Sequence, residues 1–212
     1  MNELEEKFYE TGVVPVVVLE DAEDAVPLAQ ALVEGGLLSA EVTFRTAAAE
    51  ESIRRMTEAF PQMLVGAGTV LTKEQVDAAA AAGAKFIVSP GFDLEIVDYC
   101  LKKKIPVLPG CISPSEVAQA VKRGLTIVKF FPAEQAGGIA MIKAMAAPYV
   151  GLKFMPTSGI NAGNLTEYLS CDKILCCGGS WMVKGDLVKA GDFGKIRELS
   201  AETRKLVDTI RK

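Results

Sequence analysis

Residues 105–132 read IPVLPGCISPSEVAQAVKRGLTIVKFFP, and this stretch decides the fold. Its two apolar runs, which begin near Ile105 and Thr126, have the length of buried strands. Between them, Pro114–Arg123 is a plausible amphipathic helix. Strand, helix and strand in this order predict a βαβ unit, in which the two strands lie parallel.

The same alternation continues in both directions along the chain. Six further apolar runs begin near Val13, Ala40, Met63, Lys85, Leu152 and Lys173. Predicted helices follow several of them, among them Asp24–Glu34, Ala47–Ala59, Lys73–Ala82 and Asp93–Lys103. Eight βα units predict a (β/α)8 TIM barrel, formed by residues 1–212 as one domain, with an extra N-terminal helix at about Glu3–Thr11 under the barrel. A doubly wound open sheet is the alternative, but the first βα junction lacks the glycines of a phosphate loop.

Composition excludes several classes of function. The net charge of −4 and the pI near 5.1 give no basic face for nucleic acid, and no apolar run is long enough for a membrane span or a signal peptide. The five cysteines lack metal-ligand spacing and predict reduced thiols in a cytoplasmic protein. The chain has no histidine, which excludes serine and cysteine nucleophiles paired with histidine and most zinc sites.

Lys129 is the leading candidate for a nucleophile, because it lies inside the apolar run TIVKFF. A buried ammonium is costly, so burial favours the neutral amine, which attacks carbonyl groups to form Schiff bases. The alternative is that Lys129 extends to the surface or marks the end of a strand. Lys85 and Lys153 also adjoin strands, but they precede their apolar runs and therefore belong at the opposite end of the barrel.

Catalytic side chains of such barrels lie at the C-terminal ends of the strands. At the end of the second strand, Glu41 shares its parity with Arg45 and is a candidate for general acid and base catalysis. Arg45 either neutralises Glu41 or holds a substrate carboxylate, and the spacing alone leaves both roles open. The loops after strands seven and eight contain Ser158-Gly159 and Gly178-Gly179-Ser180, and this pattern favours phosphate binding over simple tight turns.

Five ordered segments resemble the family of 2-keto-3-deoxy-6-phosphogluconate (KDPG) and 2-keto-4-hydroxyglutarate (KHG) aldolases. They are EVTFRT at 41–46, VGAGTV at 65–70, VSPG at 88–91, VKFFPAE at 128–134 and CGGSW at 177–181. The resemblance extends from about Gly12 to the end of the last helix. It departs from the family at Ser158, where many members have glycine.

The resemblance implies a Schiff-base aldolase that needs no metal or other cofactor. Lys129 would form the Schiff base and Glu41 would transfer protons. Arg45 and Thr69 would bind the pyruvate carboxylate. Pro90 and Phe131 would form the walls of the pocket, and Thr157 would contact the substrate hydroxyls. The phosphate would be held by Ser158, Gly159, Gly179 and Ser180.

The products would be pyruvate and glyceraldehyde 3-phosphate, and the assembly a homotrimer. The alternatives keep the mechanism and change the aldehyde, to glyoxylate from 4-hydroxy-2-oxoglutarate or to the product of the galactonate epimer. A more distant alternative is a barrel that binds phosphosugars without turnover.

Overall fold

The structure, a computed structural model, describes residues 1–211. Eight parallel strands alternate with helices along the chain. The strands are β1 (Val13–Val17), β2 (Ser39–Thr43), β3 (Leu64–Gly68), β4 (Ile87–Ser89), β5 (Val107–Cys111), β6 (Ile127–Phe130), β7 (Lys153–Pro156) and β8 (Cys177–Gly179). The helices are α1 (Glu3–Thr11), α2 (Ala25–Glu34), α3 (Ala49–Ala59), α4 (Lys73–Ala81), α5 (Leu94–Lys102), α6 (Pro114–Lys122), α7 (Gly138–Ala146), α8 (Leu165–Leu169), α9 (Gly185–Lys189) and α10 (Phe193–Asp208), with a 3₁₀ turn at Ala22–Asp24.

The strands close into a barrel. Their order is β7-β6-β5-β4-β3-β2-β1-β8, and isolated bridges from Phe154 to Ile174 and from Thr157 to Gly178 join the two outer strands. The predicted (β/α)8 barrel is therefore confirmed, and the open-sheet alternative is wrong. Strand β8 is shorter than the apolar run from Lys173 that predicted it. Before Cys177 the chain pairs with β7 only at the bridge between Phe154 and Ile174, so no continuous strand forms there.

Two apolar layers hold the barrel together. The larger one lies between the strands and the surrounding helices. The smaller one fills the N-terminal half of the barrel interior and consists of Phe8, Val14, Leu64, Phe86, Val88, Leu108, Ile127, Met155, Leu175 and Cys176. These ten buried apolar side chains fill this half of the barrel interior.

Helix α1 covers the N-terminal end of the barrel, as predicted. Its N-cap Asn2 and Glu5 form a capping box, and Glu5 also accepts a hydrogen bond of 2.5 Å from Thr126 at the start of β6. Phe8 enters the barrel and makes an edge-to-face contact with Phe86, with 5.0 Å between the ring centroids. An open cleft of about 630 Å³ remains beside α1, at the end of the barrel opposite to Lys129.

All five cysteines are unpaired and buried. Burial raises the pKa of the Cys100 thiol to about 11 and that of Cys111 to about 12, and it also raises the pKa values of Cys176 and Cys177. These four thiols are therefore protonated at neutral pH and act as small apolar side chains. Among the helices of the described residues, none has both the length and the hydrophobicity that crossing a bilayer requires.

Candidate active site

Lys129 lies inside the barrel, directly above the apolar layer. Side chains alternate along β6, so Lys129 points to the same side as Ile127, which belongs to that layer. Only 5% of Lys129 is exposed, and its Nζ lies 5.3 Å from the centroid of the Phe131 ring. The side chain therefore does not extend to the surface, although Lys129 does lie near the end of β6.

Glu41 meets Lys129 across the barrel. It lies in β2 and is completely buried, and its Oε1 accepts a hydrogen bond from Lys129 Nζ over 3.4 Å. This distance is long for a charge-assisted hydrogen bond, which leaves both groups able to engage a ligand. Within residues 1–211 no group donates a hydrogen bond to Glu41 Oε2. A buried carboxylate oxygen without a partner is costly, and this oxygen is thus available to a substrate hydroxyl or water.

Gly68 provides the space that the Glu41 carboxylate occupies. It lies at the end of β3, next to β2, and a Cβ atom at this position would overlap Glu41 Oε1. Because Glu41 is completely buried, an added methyl group at position 68 would push its carboxylate away from its place beside Lys129. The glycine of the GAGT segment is therefore a packing requirement of the buried pair.

We expect Gly68→Ala to lower turnover on the order of 100-fold, since it displaces the general acid and base while the strand persists. Steady-state kinetics and circular dichroism would measure the two effects separately. Gly194→Ala is the matched control, because its added Cβ would meet only Asp192 Oδ1, at 3.8 Å, in the outer helix α10. Unchanged turnover in Gly68→Ala would show that the position of Glu41 does not matter for catalysis.

Arg45 and Thr69 lie together at the mouth of the barrel. Arg45 Nε donates a hydrogen bond of 3.2 Å to Thr69 Oγ1, and the guanidinium group is exposed. Thr69 has a φ of 53°, a left-handed conformation that threonine adopts at a cost in free energy, as residues of functional sites often do. In the part of the chain that the structure describes, the ion pair of Glu41 is with Lys129 and not with Arg45. The guanidinium group thus remains free for a substrate carboxylate.

Pro90, Phe131 and Thr157 directly follow β4, β6 and β7, at the same end of the barrel as Lys129. Pro90 and Phe131 are half-buried, and the carbonyl of Pro90 lies against Gly110, the strand neighbour of Lys129. Thr157 is 7% exposed, and its Oγ1 has no hydrogen-bond partner among residues 1–211. After Glu41 Oε2, this hydroxyl is the second buried polar atom of the site that has no hydrogen-bond partner among residues 1–211.

The four residues predicted to bind phosphate lie in two adjacent loops. The bridge between Thr157 and Gly178 brings the ends of β7 and β8 together, which places Ser158 and Gly159 beside Gly179 and Ser180. Ser158 and Gly159 have left-handed φ angles of 84° and 81°. Among the described residues no acceptor engages the N–H groups of these two residues. Free N–H donors in a loop are the usual ligands of a phosphate group.

The two competing lysines lie at the other end of the barrel. Lys85 precedes β4 and lines the cleft beside α1, and Lys153 at the start of β7 donates a hydrogen bond of 2.5 Å to the carbonyl of Asp172. Neither reaches the site around Lys129.

Sequence reasoning missed two side chains that support the site. Glu134 and Tyr168 are hydrogen bonded to each other at the outer side of the loop after β7. Glu134 lies within the VKFFPAE segment and could have been singled out, since an acidic residue there is unusual next to a predicted phosphate site. Tyr168 gives no such signal, because it is one of several apolar positions in a short helix.

The family model of KDPG and KHG aldolases matches residues 4–199. A 2-dehydro-3-deoxy-phosphogluconate aldolase of Treponema pallidum is 50% identical over 195 residues, which cover 92% of this chain and 93% of that protein.

Two solved structures share the architecture. The KDPG aldolase of Legionella pneumophila, with pyruvate captured as a covalent carbinolamine intermediate, superposes with a TM-score of 0.90 at 41% identity and covers 94% of this chain and 97% of its own. The 2-keto-3-deoxy-6-phosphogluconate aldolase of Zymomonas mobilis with 3-phosphoglycerate superposes with a TM-score of 0.89 at 40% identity and covers 96% of each chain.

Proposed function

The chain belongs to the KDPG and KHG aldolase family, and from this premise we propose that it cleaves 2-dehydro-3-deoxy-6-phosphogluconate to pyruvate and glyceraldehyde 3-phosphate through a Schiff base on Lys129. The observation that carries this proposal is the buried pair of Lys129 and Glu41, with 3.4 Å between Nζ and Oε1, below the exposed guanidinium group of Arg45. The reaction requires an amine that attacks the keto group, a group that carries protons and a cation that binds the substrate carboxylate.

The first half of the reaction forms the imine. Lys129 first transfers a proton to Glu41 across the 3.4 Å between Nζ and Oε1, and the resulting neutral amine attacks C2 of the keto acid. The carbinolamine that forms then loses water to give a protonated imine. Glu41, whose Oε2 has no other partner, donates the proton with which the hydroxyl leaves as water. The capture of pyruvate as a carbinolamine in the Legionella relative supports this sequence of steps.

The second half breaks the carbon–carbon bond. The protonated imine accepts the electron pair of the C3–C4 bond, while the carboxylate of Glu41 takes the proton of the C4 hydroxyl. An aldehyde leaves and an enamine remains on Lys129. Protonation at C3 and addition of water then release pyruvate and regenerate the amine.

The remaining residues bind the substrate. Arg45 and Thr69 hold the C1 carboxylate at the mouth of the barrel, Pro90 and Phe131 form the walls, and the unpaired hydroxyl of Thr157 contacts the sugar hydroxyls. The phosphate lies at the far end, against Ser158, Gly159, Gly179 and Ser180. The 3-phosphoglycerate in the Zymomonas relative supports a phosphate site in this family.

Borohydride reduction in the presence of pyruvate tests the mechanism. Reduction makes the imine permanent, so intact-protein and peptide mass spectrometry should locate one adduct on the peptide that carries Lys129. An adduct on another lysine, or none, would contradict the proposed mechanism.

The alternative substrate is 4-hydroxy-2-oxoglutarate, which lacks a phosphate and releases glyoxylate. The free N–H groups of Ser158 and Gly159 favour the phosphorylated substrate, because its phosphate on C6 extends further from Lys129 than the C5 carboxylate of 4-hydroxy-2-oxoglutarate. We therefore expect kcat/KM to be higher for the phosphorylated substrate. Equal values for both substrates would support the alternative.

We also infer a homotrimer in a reducing, cytoplasmic compartment. The five unpaired cysteines support the compartment. Three exposed apolar side chains support the assembly: Leu71 and Ile112, 56% and 39% exposed in the loops after β3 and β5, and Leu94, 51% exposed at the first residue of α5. Sedimentation equilibrium should give about three times the chain mass of 22.6 kDa, and a monomer at micromolar concentration would contradict the trimer.

A further inference from the structure

The loop after β6 holds the loop after β7 through two backbone hydrogen bonds. The N–H of Ala133 donates to the carbonyl of Thr157 over 2.9 Å, and the N–H of Glu134 donates to the carbonyl of Ser158 over 3.3 Å. Ser158 Oγ adds a hydrogen bond of 3.1 Å to Gln135 Oε1. The segment proposed to bind the sugar hydroxyls and the phosphate is thus shaped by its neighbour.

The side chain of Glu134 lies directly against Gly159. A Cβ atom at position 159 would overlap Cβ and Cγ of Glu134, so the Glu134 side chain contacts the backbone of Gly159. On the other side, the amide groups of Asn161 and Asn164 donate to the carbonyl of Gly159 over 3.1 and 3.0 Å. Gly159 is therefore held from both sides, and its free N–H has a defined direction.

Tyr168 anchors the carboxylate of Glu134. Tyr168 in α8 is 1% exposed, and its hydroxyl donates a hydrogen bond to Glu134 Oε1. Gly138 provides the space, since a Cβ there would come within 2.9 Å of the tyrosine oxygen. Burial, and then the hydrogen bond to Glu134, raise the pKa of Tyr168 well above its ordinary value. The hydroxyl therefore stays protonated at neutral pH and can donate its hydrogen bond there.

A carboxylate beside a phosphate site is unfavourable unless it is held. Two negative groups repel each other, and a mobile Glu134 would compete with the phosphate for the free N–H groups of Ser158 and Gly159. The hydrogen bond from Tyr168 occupies one oxygen of Glu134 and fixes the stem of the side chain against Gly159.

We propose that Tyr168 and Glu134 are positioning residues for the phosphate end of the substrate: the tyrosine hydroxyl holds the glutamate, and the glutamate holds the turn at Ser158 and Gly159. This inference rests on the proposed function and adds the side chains that give its phosphate site a defined shape.

Tyr168→Phe is the test, because it removes one hydroxyl and keeps the ring in the core. Calorimetry with inorganic phosphate should show an affinity about three- to tenfold lower, which corresponds to the usual net contribution of one hydrogen bond. The KM of the phosphorylated substrate should rise by a similar factor. Borohydride trapping of pyruvate on Lys129 and kcat/KM for 4-hydroxy-2-oxoglutarate should stay within about twofold, since neither ligand reaches the phosphate site.

Tyr99→Phe is the matched control. Tyr99 also donates its hydroxyl to a carboxylate, that of Asp77 over 2.8 Å, but between the outer helices α4 and α5. We expect this variant to bind phosphate like the wild type. Glu134→Gln provides a second test, because glutamine retains an oxygen that accepts from Tyr168 while the negative charge is lost. It should bind phosphate at least as tightly as the wild type.

Three results would overturn the proposal. They are unchanged phosphate affinity in Tyr168→Phe, an equal loss in Tyr99→Phe, and weaker phosphate binding in Glu134→Gln. An equal loss of pyruvate trapping in Tyr168→Phe would also contradict it, since the effect would then be general. If the wild type itself trapped no pyruvate, the aldolase mechanism would fail, whereas the phosphate measurements would still decide the role of Tyr168.

Discussion

Replacing Lys129 by alanine will abolish cleavage, with a loss of turnover on the order of 10⁴-fold or more, because among residues 1–211 no other lysine forms an ion pair with Glu41. Without the amine no imine forms, and the C3–C4 bond has no acceptor for its electrons. The measurement is the release of pyruvate, together with the loss of the borohydride adduct from the corresponding peptide.

Stability has to be measured beside activity for this variant. Alanine leaves the buried carboxylate of Glu41 without its cation, and breaking a buried ion pair in this way costs about 3–5 kcal/mol. Lys129→Arg avoids this problem, since arginine keeps a positive charge near Glu41 but does not form a Schiff base. We expect Lys129→Arg to be folded and inactive.

Lys153→Ala is the control for both substitutions. Lys153 lies in the neighbouring strand β7, but at the opposite end of the barrel, and we expect this variant to retain full activity. Substantial cleavage by both Lys129 variants would show that another residue forms the intermediate, or that the reaction does not pass through an imine.

Glu41→Gln is expected to have the second-largest effect, a decrease of turnover by about 10²- to 10⁴-fold, the usual contribution of a general acid or base. Glutamine has almost the same shape, so it fits the space above Gly68, but it does not transfer protons. Arg45 and Thr69 remain in place, and we therefore expect KM to change little.

Pyruvate trapping separates the two roles of this residue. In Glu41→Gln the adduct should still form on Lys129, but more slowly, because the amine is present and only the proton transfers are impaired. Glu58→Gln, an exposed position on the outer helix α3, is the isosteric control and should be fully active. Full activity of Glu41→Gln would refute the acid and base role and leave Glu41 as no more than the hydrogen-bond partner of Lys129.

The helices and strands could be predicted well from the sequence, because each one has a strong local pattern. The predicted bounds of α1 agree with the structure at both ends, where Asn2 caps the helix and Gly12 follows it. The prediction was least accurate for β8, where the apolar run starting at Lys173 contains only three residues of strand. Pairing with β7 and β1 decides the length of that strand, and local pattern contains no information about it.

The candidate site could be predicted in part. Strand parity and position placed Lys129 and Glu41 in the barrel mouth, and the structure brings them within 3.4 Å although 88 residues separate them along the chain. The spatial partners of Glu134 were not predictable in the same way. Its contacts with Gly159 and Tyr168 arise between two loops and a helix, whose relative positions depend on how β6, β7 and α8 pack.

The sequence by itself determined the order of strands and helices, the absence of histidine chemistry and the position of a lysine within an apolar run, since each of these depends on residue type and on periodicity along the chain. Only the tertiary structure decided that Lys129 faces Glu41, that Gly68 makes room for this pair, and that Tyr168 reaches Glu134. The physical reason is that closing the barrel brings distant strand ends to one rim, and the distances across that rim follow from the packing of the whole interior.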